Sequence, residues 1–226
     1  MDSARVNRIA DFTGRAVLVA FFGCLATIQT LAVIGLLADP AGPRFVDLAV
    51  SLANLAFIVL IVGMTIARLK PIRNAKGFEP RFSALVGTFL SLSLVALPQA
   101  DYGIELRITA LILSTAGCVF SAYVLMWLGR AFSIMAQARH LVTTGPYAIV
   151  RHPLYLCEEV AVLGVVLTHF SLAAVLIIGV HWIFQLRRMT NEETVLRAVF
   201  PEYAAYARRT PKVIPCLFAR FRLRQA

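Results

Sequence analysis

The sequence predicts an all-α protein: a polytopic transmembrane helical bundle of four spans, then a helical hairpin and a cytoplasmic amphipathic helix at the C-terminal end. Composition is the first reason. Hydrophobic residues make up 59% of the 226 positions and charged residues 15%, whereas soluble domains run at about 45–50% and about 25%. The second reason is that apolar runs of about 18 residues or more recur along the chain. The third is the sorting of Lys and Arg. Of 22, only Arg44 and Arg107 fall in the first and third interhelical loops, so the positive-inside rule puts both termini and the second loop in the cytoplasm.

The elements follow in order. Met1 to Arg15 is polar and carries Arg5, Arg8 and Arg15, and no early small-residue cleavage site follows it, so Ala16–Ala38 reads as a retained first span. Asp39-Pro40 and Gly42-Pro43 end it. Phe45–Ala67 is the second span, with Asp47 read as a cap and Asn54 as a bridge between helices. A basic loop, Arg68–Arg81, leads to a short third span, Phe82–Leu97, closed by Pro98. Ile108–Leu128 is the fourth, with Gly129-Arg130 at its exit. Residues 1–128 then form the span region and 129–226 the part expected to carry chemistry.

Leu154–Leu186 is too long for one crossing. Its 33 residues make a straight helix of about 50 Å against a hydrocarbon core of about 30 Å. Arg151 precedes it and Arg187-Arg188 follow it, and both belong in the cytoplasm. A hairpin turning near Thr168-His169-Phe170-Ser171 satisfies these constraints, with arms short enough to be tilted or re-entrant. His169 then reads as an interfacial residue. After Arg188, Leu196, Phe200, Tyr203 and Tyr206 recur at three- and four-residue spacing, as in an amphipathic helix lying against the bundle. Arg220, Arg222 and Arg224 end the chain as a lipid-headgroup contact.

The net charge of +10 belongs with this topology. There is no basic repeat or aromatic motif of a nucleic-acid binder, and cytoplasmic Lys and Arg facing anionic lipid account for it. Cys24, Cys118, Cys157 and Cys216 have neither metal-ligand spacing nor a disulfide framework and read as small buried thiols.

Two polar clusters flank the hairpin. One holds Gln137, Arg139, His140, Gly145, Tyr147, Arg151, His152 and Tyr155; the other holds Glu192, Glu193, Tyr203, Tyr206, Arg208 and Arg209. A hairpin brings them together at one membrane face, with donors and cations on one wall and carboxylates on the other. That combination suits a zwitterionic, partly aromatic ligand: carboxylates accept from an amine or hydroxyls, Arg and backbone N–H hold a carboxylate, and apolar helix ends pack a ring.

The stretch His140-Leu141-Val142-Thr143-Thr144-Gly145-Pro146-Tyr147, then Val150-Arg151-His152-Pro153-Leu154-Tyr155, resembles the signature of isoprenylcysteine carboxyl methyltransferases and related phospholipid N-methyltransferases. Glu192-Glu193 with Leu196, then Phe200, Glu202-Tyr203, Tyr206 and Ile214-Pro215, is similar to the second half of that pattern. The resemblance runs from about Gly129 to Pro215. It implies an integral-membrane enzyme using S-adenosylmethionine and acting on a lipid or lipidated small-molecule acceptor. By that analogy His140, Leu141, Val142, Gly145, Tyr147, His152, Tyr155, Glu192 and Glu193 line the cofactor pocket, with Gln137 and Pro153 completing it. Arg151 braces the loop or fixes an anionic group. Arg209 and Tyr206 fall where the family orients its acceptor, and Glu193 and His152 complete the catalytic set; no metal is implied.

One departure stands out. Cys157 and the pair Glu158-Glu159 occupy positions where the family often has glycine, and carboxylates within a hairpin must pair or face water. Arg151 and His181 are the candidate partners.

The resemblance points first to carboxyl O-methylation of an isoprenylcysteine-like group and next to N-methylation of a phospholipid or small amine. For an amine, His140, His152 or Glu193 are candidate bases. Two other classes fit the sequence. One is a sterol-reductase-like enzyme using NADPH, whose extra phosphate the Arg-rich tail could hold; the other is a non-enzymatic lipid-binding bundle.

Overall fold

The computed structural model describes residues 3–39 and 45–214, without the side chains of residues 3–10 and 46. The turn at Pro40 and Gly42-Pro43, the loop residue Arg44, the side chains of Arg5 and Arg8, and the tail with Pro215, Cys216, Arg220, Arg222 and Arg224 lie outside the described residues. Apart from two two-residue strands, the regular elements of the described chain are helices: α1 (Ser3–Leu37), α2 (Phe45–Ala67), β1 (Arg73–Asn74), α3 (Glu79–Phe89), α4 (Ile104–Leu128), β2 (Gln137–Ala138), α5 (Pro153–Thr168), α6 (Leu172–Val199) and α7 (Tyr203–Arg209).

Four of these helices are long and apolar enough to cross a membrane: Asp11–Leu37, Asp47–Ala67, Ile104–Ala131 and Leu172–Val199. Their flanks carry many large apolar side chains that face outward, among them Leu31 at 63% and Ile183 at 60% exposure. Such faces are stable against lipid and costly against water.

The predicted third span differs. Only Glu79–Phe89 is α-helical, and Leu90–Ala96 winds as a 3₁₀ helix. Ser93 donates to the Leu90 carbonyl, a local bond that competes with α-helical pairing. At about 1.5 and about 2.0 Å per residue, these 11 and 7 residues together reach about 30 Å. The tighter winding lets a short segment match the hydrocarbon core.

The hairpin turns where expected. α5 ends at Thr168, and Ser171 caps α6 by accepting from the Ala174 N–H at 3.2 Å. His169 sits at the turn, buried within the protein, and its Nδ1 lies 2.7 Å from the Leu97 carbonyl, fastening the turn to the end of the 3₁₀ segment.

The arms of the hairpin meet chiefly through polar side chains, while α5 lies mainly on α4 and α6 lies mainly on α3. The α4–α5 contact is close because it is built on small residues. A Cβ on Gly117 would stand 2.3 Å from the Ala161 backbone nitrogen, and one on Gly164 would stand 2.5 Å from the Ala110 carbonyl oxygen. The amphipathic segment after Arg188 lies against the bundle as expected, through Tyr203 and Tyr206, but differs in form. It is no separate helix, because α6 runs unbroken for 28 residues to Val199, and only the seven residues of α7 follow. Nothing between Arg188 and Val199 breaks a helix; Pro201 is the first residue that does.

Asn54 does bridge helices, accepting from Cys118 Sγ at 2.9 Å between α2 and α4. Cys118 is buried as expected, whereas Cys24 faces outward from α1.

Candidate functional site

The polar ends of α1, α2, α4, α5 and α6 gather at one end of the bundle. Leu69 N–H donates to the Arg130 carbonyl at 2.9 Å, and Arg130 Nε donates to the Ala67 carbonyl at 2.8 Å, which ties the exits of α2 and α4 together. β1 and β2 pair antiparallel with Arg73 opposite Ala138 and Asn74 opposite Gln137, and so stitch the second loop to the chain leaving α4. Two-residue strands are too short to leave a period in the sequence.

From Ala131 the chain runs extended, and its burial alternates. Phe132, Ile134, Ala136 and Ala138 are buried. Ala131, Ser133, Met135 and Gln137 line a cavity, as side chains two apart do on an extended backbone. Phe132 lines it as well, as do Leu128, His140, Leu141, Val142, Tyr147, Arg151, His152, Leu154, Tyr155, Glu158, Arg188, Glu192, Leu196, Tyr203 and Tyr206. Its volume is about 100 Å³.

Of the residues expected to bind cofactor, Gln137, His140, Leu141, Val142, Tyr147, Arg151, His152, Tyr155 and Glu192 stand in this wall. Gly145, Pro153 and Glu193 do not. Gly145 shapes the turn: its φ is +58°, and a Cβ there would meet the Trp127 ring at 2.2 Å, so both backbone and space require glycine. Pro153 is the first residue of α5, where a missing N–H is harmless.

Glu193 lies behind the wall as a brace. Its Oε1 accepts from Arg151 Nε at 3.0 Å and lies 3.1 Å from His152 Nε2. Arg151 Nη1 also donates to the carbonyls of Ala207 at 2.8 Å and Thr210 at 2.6 Å. Arg151 and His152 donate their backbone N–H groups to Pro211 and Lys212. Arg151 therefore fastens loop, α6 and the segment after α7 into one unit, the bracing role anticipated for it.

Tyr206 is buried and lines the cavity, with its hydroxyl donating to the Tyr147 carbonyl at 2.6 Å. Burial pushes this phenol up to about 12, and it raises Tyr147 and Tyr203 as well. Arg209, expected beside Tyr206 in the site, is exposed and stands outside the cavity wall.

Sequence reasoning missed Arg188. It was assigned to the membrane exit of the hairpin, but it is buried inside the cavity, 4.8 Å above the Tyr155 ring and facing the charges of Glu192 and Glu158. Its i, i+4 spacing to Glu192 was the available signal. Tyr155 donates its hydroxyl to Glu192 Oε1. Glu158 faces the cavity, while Glu159 turns to the α5–α6 seam. There Glu159 bonds His181 Nε2 at 2.8 Å, Trp182 Nε1 at 2.6 Å and Gln185 Nε2 at 3.1 Å. Of the two partners expected for these carboxylates, His181 is found and Arg151 is taken by Glu193.

Fold and site together define a polytopic helical membrane protein with a charged cavity, lined by two half-buried carboxylates and a buried guanidinium, at one end of its bundle. Within it, residues 101–203 match the phospholipid methyltransferase family, in agreement with the resemblance seen in the motifs. The match begins ahead of α4 and stops at Tyr203, short of Tyr206 and Arg209. The chain is also 40% identical over 78 residues to the cobalt-zinc-cadmium resistance protein CzcN of Cupriavidus metallidurans, covering 34% of this chain and 36% of that one. It is 40% identical over 83 residues to the nickel-cobalt-cadmium resistance protein NccN of Alcaligenes xylosoxydans xylosoxydans, covering 36% and 38%. The aligned stretch thus spans little more than a third of either relative.

Proposed function

We propose that this protein is an integral-membrane methyltransferase that binds S-adenosylmethionine in the cavity between α4, the 131–152 loop, α5 and α6. We place that cavity at the cytoplasmic face, with both termini on the same side. The observation that carries the reading is the meeting of Glu158, Glu192 and Arg188 beneath an apolar rim, inside the segment that matches the family.

The donor set suits the cofactor. Glu192 and Glu158 can accept from an amine or from ribose hydroxyls. Arg188 spends one Nη on Gln185 and leaves its Nε without a partner, so it has donor capacity for a carboxylate. Leu128, Leu141, Val142 and Leu196 offer apolar surface to a purine. When bound, S-adenosylmethionine supplies a methyl on a sulfonium, which passes in line to an acceptor lone pair and leaves a neutral thioether.

The chain's task is then alignment and exclusion of water. Arg151 and Glu193 hold the loop, His152 and Tyr155 set the start of α5, and Tyr206 pins α7 over Tyr147. His152 is engaged with Glu193, which makes it a positioning residue. His140 is the exposed imidazole in the wall and the better placed of the two to take a proton from an amine acceptor. A carboxylate acceptor needs no base, and carboxyl O-methylation of an isoprenylcysteine-like lipid is the first acceptor class to test, ahead of phospholipid or small-amine N-methylation.

Labelled S-adenosylmethionine incubated with the protein, total membrane lipid and a prenylcysteine analogue tests this directly. Label in the prenylcysteine ester supports the first class, and label in a phospholipid amine replaces it with the second. Calorimetry with S-adenosylhomocysteine and with NADPH separates the other readings. Binding of NADPH alone establishes the reductase, and binding of neither leaves the lipid-binding bundle.

A further inference from the structure

A second cavity, of about 350 Å³, lies next to the first and shares Met135 and Gln137 with it. Its polar end is formed by Asp11, Arg68, Asn74 and Arg81, and its apolar side by Val17, Leu18 and Leu85. Val17 and Leu85 are also exposed on the lateral face of the bundle, at 60% and 41%. Further along the helices α1 and α3 close on each other, with Phe21 and Phe89 in edge contact at 4.9 Å. The cavity is therefore continuous with the apolar flank beside Val17 and Leu85.

The charges at its polar end do not balance. Asp11 is the one carboxylate among the described residues for three guanidinium groups: Arg68 at 2.9 Å, Arg139 at 3.5 Å and Arg15 at 3.6 Å. Arg68 and Arg139 are 6% and 4% exposed, so water does little to offset the surplus. Donor capacity is in surplus too. Nε of Arg15, Nε of Arg68, and both Nε and Nη1 of Arg139 are buried without a hydrogen-bond partner. Asn74 Oδ1 has no partner either, and a half-turn of that amide presents a donor.

Two buried guanidinium groups and a half-buried one around a single carboxylate form a self-repelling cluster unless an anion joins them. Burial and the neighbouring Arg68 already lower Arg139 to about 10. Planar guanidinium forks match oxyanions, phosphate above all, and basic pockets between membrane helices hold anionic lipid head groups.

We propose that this cavity is a lipid-phosphate site: the head group sits among Asp11, Arg68, Asn74 and Arg81, and the acyl chains leave along Val17 and Leu85. The site stands on the Asp11 cluster and does not depend on the methyltransferase reading. Its test needs no cofactor. Through Gln137, which accepts from Arg139 and lines both cavities, it abuts the candidate cofactor site.

The full chain, purified in a neutral maltoside detergent, is titrated separately with phosphatidic acid, phosphatidylglycerol, diacylglycerol and inorganic phosphate. Binding is read by native mass spectrometry and by thermal shift. The two anionic lipids should bind and raise the melting temperature, and diacylglycerol and inorganic phosphate should not. Arg139→Gln should weaken phosphatidic acid binding at least tenfold. Should that variant fail to fold, Arg81→Gln at the rim should weaken it several-fold, and Asp11→Asn should tighten it by freeing the guanidinium groups. Equal binding of diacylglycerol overturns the anion site. Inorganic phosphate binding as tightly as phosphatidic acid overturns the lipid as its source. Unchanged affinity in both Arg81→Gln and Asp11→Asn overturns the placement.

Discussion

His152 Nε2 lies 3.1 Å from Glu193 Oε1, joining the residue before α5 to the far part of α6 across 41 positions of sequence. Arg151 reaches the same oxygen at 3.0 Å, so one carboxylate holds both members of the Arg-His pair. The loop that shapes the cavity is fixed by this carboxylate from outside the cavity wall.

Glu193→Ala should therefore abolish measurable S-adenosylhomocysteine binding although Glu193 does not line the cavity, and His152→Ala should do the same. Removing one partner of a buried charge pair costs about 3–5 kcal/mol, enough to release the loop. Glu193→Gln, which keeps an acceptor, should lose less. Calorimetry on variants that elute as single species checks this, and wild-type affinity in both alanine variants would remove the brace.

Glu158→Gln and Arg188→Met act inside the cavity and should lower cofactor affinity by about tenfold or more, in line with charged hydrogen bonds worth about 1.5–3 kcal/mol. Glu159→Gln faces the α5–α6 seam and should leave that affinity within about twofold while lowering thermal stability. A larger cofactor loss for Glu159→Gln than for Glu158→Gln would reverse the two assignments.

Arg209→Ala, on an exposed residue past the family match, should leave cofactor affinity unchanged and raise the acceptor's apparent KM. A drop in cofactor affinity with an unchanged acceptor KM would take Arg209 out of acceptor binding.

Three glycines give a graded stability series. A Cβ at Gly117 meets Ala161 backbone at 2.3 Å, one at Gly87 meets the end of the Gln185 side chain at 3.0 Å, and one at Gly63 meets nothing within 4 Å. Gly117→Ala should cost about 1–3 kcal/mol or more and Gly87→Ala less. Gly63→Ala should be neutral or stabilising, since alanine favours helix by about 1 kcal/mol. Melting temperatures in detergent should follow that order.

Tyr206 gives a pH signature. Its folded-state value is raised to about 12 from 10.0. A raised value means that the folded state keeps its proton longer, so this stabilisation is fully present below pH about 10 and is lost as pH rises towards about 12. Tyr206→Phe should flatten the fall in melting temperature across that window, and at neutral pH it should cost about 1 kcal/mol for the bond to the Tyr147 carbonyl. An unchanged slope in the variant would assign the fall to other groups.

By itself the sequence determined the spans and the chemistry available. Hydropathy over some twenty residues is a strong, local signal, and it placed α2 at its observed ends and the hairpin turn at Thr168–Ser171. The motifs around Arg151-His152-Pro153 and Glu192-Glu193 named most of the cavity wall, because residues close in sequence at a loop or helix end stay close in space. Only the tertiary structure decided which side chain serves and which supports. That Glu193 braces and Arg188 enters the cavity depends on the rotation of an unbroken α6, which composition does not encode. That Asp11, Arg15, Arg68 and Arg139 share one site depends on α1, the end of α2 and a two-residue strand pair meeting across up to 128 positions. Long-range charge neighbours leave no periodicity in the chain; they exist only once the helices have packed.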